Sequence, residues 1–120
     1  MKKIYHLSNC TTCQRILKEL KPGKEIEIQE IKTQPITPAQ IDEMKKLSGS
    51  YESLFSRVAL KYRSMGLNNM KLTEKDYRKY ILEEYTFLRR PVTIAGDKIF
   101  VGNAPKVIAA AKEALKKSPA

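Results

Sequence analysis

The sequence has no tryptophan, one histidine and two cysteines among 120 residues. Cys10 and Cys13 are too few and too close together to staple a small secreted scaffold. With His6 as the lone imidazole, they fall short of the four ligands a structural zinc requires, and no metal is expected. No apolar run approaches the roughly 20 residues of a membrane span. The first ten residues carry Lys2 and Lys3 but no apolar stretch of signal-peptide length. The expectation is a cytoplasmic protein that makes no membrane contact. A Gly-rich phosphate loop, a paired-carboxylate site and a nucleic-acid-binding motif are also absent. Acidic residues are scarce: 13 Asp+Glu stand against 23 Lys+Arg, a net charge of +10. Such an excess suits an anionic substrate or an acidic partner, and equally a lysine-rich solvated exterior. Without a binding motif, direct nucleic-acid binding is not expected.

What remains is an ordinary globular composition, 42% hydrophobic and 30% charged, of a length that makes one domain over 1–120. Lys3 to Leu7 is rich in strand formers. A helix follows, with Ile16, Leu17 and Leu20 on one face and Pro22-Gly23 at its end. Glu25 to Ile31 alternates and reads as a second strand carrying Ile26, Ile28 and Ile31. Strand, helix, strand over some 30 residues is a βαβ unit with parallel strands. Thr37, Pro38 and Gln40 form a helix start with a capping box, and Ile36 and Ile41 take the staple positions. That helix uses Ile41, Met44 and Leu47 and stops near Gly49. Tyr51 to Tyr62 reads as a further helix with Leu54, Phe55, Val58 and Tyr62 inward. After the break at Gly66-Leu67-Asn68-Asn69, Thr73 opens another, with Tyr77, Tyr80 and Ile81 inward. Pro91 to Ile94, the turn Gly96-Asp97 and Lys98 to Val101 read as a β-hairpin. A last helix carries Val107, Ile108, Ala111 and Leu115 on one stripe. The expected fold is α/β (α+β in the looser sense): a four-stranded mixed sheet flanked by helices. A helical insert over about 37–86 joins the βαβ and ββα halves.

The cysteine pair carries the chemistry. Cys10-Thr11-Thr12-Cys13 lies between the first strand and the first helix. The unpaired N–H groups and positive dipole end of a helix start favour a thiolate at Cys10, the form that attacks. Cys13, one helical turn on, is within reach to resolve a mixed disulfide on Cys10. His6, four residues before Cys10, would lower the thiol pKa further if protonated. Arg90, just before Pro91, is a guanidinium able to stabilise a thiolate or grip an oxyanion, and Arg57 is a second candidate from the insert.

A CxxC at a β1–α1 junction, a long gap, then a proline opening a ββα half resembles the thioredoxin-like fold. In that fold the proline is cis and faces the cysteine, and Pro91 is the match. Leu88-Arg89-Arg90-Pro91-Val92, Ser53-Leu54-Phe55-Ser56-Arg57 and Tyr62-Arg63-Ser64-Met65-Gly66-Leu67 resemble the glutaredoxin-linked arsenate reductase family and its relatives, the Spx transcriptional regulators. The resemblance implies a thiol-disulfide oxidoreductase of arsenate-reductase type. Cys10 would be the nucleophile, Cys13 the resolving thiol, and Arg90, Arg57, Pro91 and His6 the substrate-binding residues. Of the family's three oxyanion arginines, Arg90 matches one, another falls on Ser56 beside Arg57, and the third falls near Val101. No bound cofactor is implied. The substrate would be a small oxyanion or a disulfide, and the reductant glutathione, glutaredoxin, thioredoxin or another thiol. The Spx-like alternative makes Cys10-Cys13 a disulfide switch in a regulator that binds RNA polymerase.

Overall fold

The computed structural model describes residues 2–7, 11–20, 23 and 26–116. Cys10, Pro22 and Glu25 lie outside the described residues. The elements are β1 (Lys2–His6), α1 (Thr11–Leu20), β2 (Glu27–Glu30), α2 (Pro38–Ser48), α3 (Leu60–Ser64), α4 (Glu74–Glu83), β3 (Val92–Ala95), β4 (Lys98–Val101) and α5 (Pro105–Lys116), with single 3₁₀ turns at Glu52–Leu54, Leu67–Asn69 and Tyr85–Phe87. The contacts divide the chain into two compact units. One joins Met1–Gln34 with Arg90–Ala120, and the other is Pro35–Arg89. None of the described helices is long and apolar enough to cross a membrane.

The first unit holds the sheet, in the order β2-β1-β3-β4. β1 runs parallel to β2 and antiparallel to β3, and β3 pairs antiparallel with β4. This is the expected mixed sheet, because α1 carries the chain back for a parallel neighbour while the Gly96-Asp97 turn returns it directly. Ala95 pairs with Lys98 across that turn, and Gly96 takes φ +65°, a conformation glycine adopts at no steric cost. Ile4 on one face of the sheet packs with Ile16 and Leu20 of α1, Ile26, and Ile108, Ala111 and Leu115 of α5. The other face presents Tyr5, Val92 and Ile94, all buried. Lys2 Nζ donates to the Leu115 carbonyl at 2.9 Å, closing one of the open acceptors at the end of α5.

β2 departs from the expected pattern. It is shorter than Glu25 to Ile31, Ile28 is 42% exposed and Gln29 is buried. The register explains this. Ile28 lies level with Ile4 on the helix-covered face, but at the sheet's edge, beyond the cover. Gln29 lies level with Tyr5, and its Nε2 donates to the Gln34 carbonyl at 2.9 Å, so its burial costs no unpaired donor.

The second unit is built on two capped helices. In α2 the Thr37 hydroxyl accepts from the Gln40 amide and the Gln40 side chain accepts from the Thr37 amide, both at 3.1 Å. Gly49, at φ +98°, ends the helix and donates to the Lys45 carbonyl at 2.7 Å. In α4, Thr73 and Asp76 form a second capping box. Those bonds hold the Asp76 carboxyl below its ordinary pKa. Arg78 of α4 reaches back to Asp42 of α2 at 2.9 Å, and the Tyr51 hydroxyl donates to the same carboxylate. These partners hold Asp42 below the usual carboxylate range. We expect Thr37→Ala to lower stability by about 1 kcal/mol. A urea titration would register it as a lower midpoint at unchanged slope, and an unchanged midpoint would contradict the capping account.

The helix expected over Tyr51 to Tyr62 does not form. The chain makes one 3₁₀ turn at Glu52–Leu54, extends through Phe55, and only then enters the five-residue α3. Backbone pairing with a distant segment wins over local helix periodicity. Phe55 bridges Leu88, the Ser56 amide donates to the Phe87 carbonyl at 2.7 Å, and the Arg89 amide donates to the Leu54 carbonyl at 2.8 Å. Leu54 and Phe55 are buried as expected, whereas Val58 is 91% exposed. Phe55 stacks on Phe87 with ring centroids 5.1 Å apart and tilts against Tyr77 at 4.9 Å, forming the centre of this unit's core.

Candidate active site

The site residues of the first unit gather where the chain leaves β1. His6 is the last residue of that strand and pairs in parallel register with Glu30 of β2, and the Ile31 amide donates to the His6 carbonyl at 2.9 Å. On the other side Tyr5 pairs with Val92. One further step of the antiparallel register brings His6 level with Pro91. The Arg90–Pro91 peptide bond is cis, as the resemblance implies. Pro91 is buried, and its carbonyl accepts from the Gly102 amide at 2.9 Å, fixing it to the end of the hairpin. Arg90 is half-buried.

α1 begins at Thr11, immediately after Cys10 in the chain. Cys10 itself lies outside the described residues. Cys13 stands in the first turn of α1 and is wholly buried, on the helix face shared with Ile16 and Leu20. Helix periodicity dictates this burial, because positions 13, 16 and 20 fall on one stripe while Gln14 and Arg15 are exposed.

The surroundings of His6 disfavour the protonated form in which it would lower the Cys10 pKa. Burial pushes the imidazole pKa below 6.5, and the nearby Glu30 charge only partly opposes that. Its Nδ1 is shielded from solvent and meets no hydrogen-bond partner among the described residues. His6 is therefore neutral at neutral pH, and the permanent cation at the head of β3 is Arg90. The folded state takes up the His6 proton less readily than the unfolded chain. The associated stability is complete above the ordinary value and is lost as pH falls through the lowered one. Accordingly, His6→Gln is expected to flatten the fall in urea midpoint between about pH 7 and 5. An equally steep fall in the variant would contradict the burial argument.

Arg57 lies in the second unit and already has local partners. Its guanidinium donates to Glu52 at 2.6 Å and to the Tyr77 hydroxyl at 3.0 Å, and it lies over the Tyr77 ring. The Glu52 hydrogen bond raises its pKa. Glu30 is the neighbour that sequence reasoning missed. Only the parallel register brings it beside His6, and no local pattern announces it. Its carboxylate accepts from the Lys32 and Thr33 amides at 2.9 and 3.1 Å, which holds it at the strand end. Among the described residues, no three His, Cys, Asp or Glu side chains gather as a metal site.

Known proteins share this architecture. The chain is 28% identical over 102 residues to the uncharacterized protein YusI of Bacillus subtilis, covering 82% of this chain and 86% of that one. It is 26% identical over 117 residues to the arsenate reductase of Haemophilus influenzae, covering 88% and 93%. The solved structure of an arsenate reductase from Vibrio cholerae superposes with a TM-score of 0.71 at 18% identity, over 92% of this chain and 96% of that one. The sheet order and the flanking helices are thus those of a thioredoxin-like fold. The ArsC family model matches residues 5–111, from within β1 through the second unit to the middle of α5, and the chain belongs to the ArsC family.

Proposed function

We propose that the protein is a thiol-dependent reductase of arsenate-reductase type, with Cys10 as nucleophile and Cys13 as resolving thiol. The observation that carries this reading is the Arg90-Pro91 step at the head of β3, just before the pairing of Val92 with Tyr5. It stands level with His6, the last strand residue before the Cys10 segment, so a guanidinium belongs to the end of the sheet where β1 leads toward α1. Arg90 favours the Cys10 thiolate and offers a bidentate grip for an oxyanion or carboxylate. Neutral His6 contributes a hydrogen bond rather than charge. The full burial of Cys13 suits a thiol that attacks only after a neighbouring sulfur has been modified.

With a disulfide substrate, the Cys10 thiolate attacks one sulfur and expels the other as a thiolate. Cys13 then attacks the mixed disulfide, releasing the second substrate thiol and leaving a Cys10–Cys13 disulfide. Two equivalents of an external thiol, such as glutathione, or one dithiol protein restore the pair. With an arsenate-type substrate, Cys10 displaces water to form a thiolate–arsenic bond. A second thiol attacks the Cys10 sulfur, and the electron pair returns to arsenic as arsenite. Arg90, Pro91 and His6 would hold the substrate. The cytoplasm, where thiol reductants are kept reduced, suits this chemistry.

The test is a trap. Cys13→Ser, incubated with a disulfide substrate, is expected to accumulate a mixed disulfide on Cys10. Intact mass would rise by one substrate half, and a thiol reductant would reverse it. The wild-type chain is expected to pass through this state without accumulating it. An unmodified Cys13→Ser chain after complete wild-type turnover would overturn the assignment.

A further inference from the structure

Between Glu52 and Glu74 the chain has no acidic residue, and it carries Arg57, Lys61, Arg63 and Lys71. The same stretch holds four of the large hydrophobic side chains exposed among the described residues: Val58 at 91%, Leu60 at 90%, Met65 at 46% and Met70 at 52%. None of the five residues of α3 is buried. The helix is held by its ends instead, through the Met65 amide to the Lys61 carbonyl and, beyond Gly66 at φ +73°, the 3₁₀ turn at Leu67–Asn69. Isolated exposed aliphatics are ordinary, but several on one short segment mark a surface that another molecule covers.

The charges choose the partner. Arg57 and Lys61 are neutralised within the unit by Glu52 and Glu84. Arg63 and Lys71 meet no carboxylate among the described residues and flank the exposed methionines in sequence. Methionine and arginine are among the residues enriched at protein–protein interfaces. A five-residue helix is too short to lie in a membrane interface with a continuous apolar face. The exposed large apolar residues here are aliphatic, without the aromatic platforms on which single-stranded nucleic acid stacks. We propose that Val58, Leu60, Arg63, Met65, Met70 and Lys71 form a docking surface for a protein whose contacting face is acidic with an apolar centre. This docking does not depend on the thiol chemistry.

The test uses the full chain and a fluorescein-labelled synthetic peptide that alternates glutamate with leucine, followed by anisotropy. Saturable binding is expected, weakened about tenfold when glutamine replaces glutamate in the peptide. A similar loss, about tenfold, is expected for the double variant Val58→Ser/Leu60→Ser, the size that partial burial of two aliphatic side chains gives. The double variant Arg63→Glu/Lys71→Glu is expected to weaken binding at least as much. All these positions are exposed, so the thermal midpoints of the variants should match the wild type. Three results would overturn the proposal. One is no saturable binding by the wild-type chain. Another is a loss on charge reversal with none on Val58→Ser/Leu60→Ser, which is unspecific charge attraction. The third is tighter binding to phosphatidylglycerol vesicles or to poly(U) than to the peptide, which would assign the surface to a lipid or a nucleic acid.

Discussion

Cys10→Ser is expected to lower turnover of a disulfide or arsenate substrate by roughly 10³-fold or more, to the background rate of the external thiol. A serine hydroxyl stays protonated at neutral pH, so a dipole and a guanidinium that favour a thiolate have almost nothing to ionise. Even an attacking oxygen could not form the mixed disulfide that Cys13 must open. Substrate held by Arg90 would still bind, so the loss falls on kcat. Wild-type turnover in Cys10→Ser would contradict the enzyme reading. The same assay separates that reading from a redox switch of Spx type built on the same two thiols. An enzyme consumes many equivalents of substrate and reductant, whereas a switch is oxidised once.

The second large effect is structural. Phe55→Ala is expected to lower stability by about 3–5 kcal/mol, a large part of the total for a domain of this size. Phe55 is 2% exposed and touches three rings, Tyr62, Tyr77 and Phe87. Its removal opens a cavity beneath the strand-like bridge to Leu88. Denaturant unfolding would measure the loss, and a change under about 1 kcal/mol would contradict the central position given to this ring.

Local chemistry made much of this molecule readable from residues alone. The capping box at Thr37, the two-residue turn at Gly96-Asp97 and the buried stripe of α5 follow from neighbours within a few positions. Pro91 was readable too, through a family resemblance, and its peptide bond is cis. The segment after Tyr51 was not. Its apolar spacing fits a helix, but the partners that decide its path, Phe87 to Arg89, lie some thirty residues on. The candidate site divides in the same way. The place of Cys13 on α1 follows from local helix spacing, which sets it on the buried face with Ile16 and Leu20. The lowered pKa of His6 depends on burial against elements distant in sequence, and Arg57, besides its nearby Glu52 partner, is held by the Tyr77 hydroxyl from α4.

The pH dependence of Cys10 alkylation tests the proposed thiolate most directly. In Cys13→Ser, where Cys10 is the one remaining thiol, the rate of reaction with iodoacetamide from about pH 4 to 10 reports the ionisation of this residue alone. An inflection well below the ordinary thiol value of about 8.5 is expected, moving up toward it in Arg90→Ala. An inflection at about 8.5 in the Arg90-containing protein would contradict the thiolate.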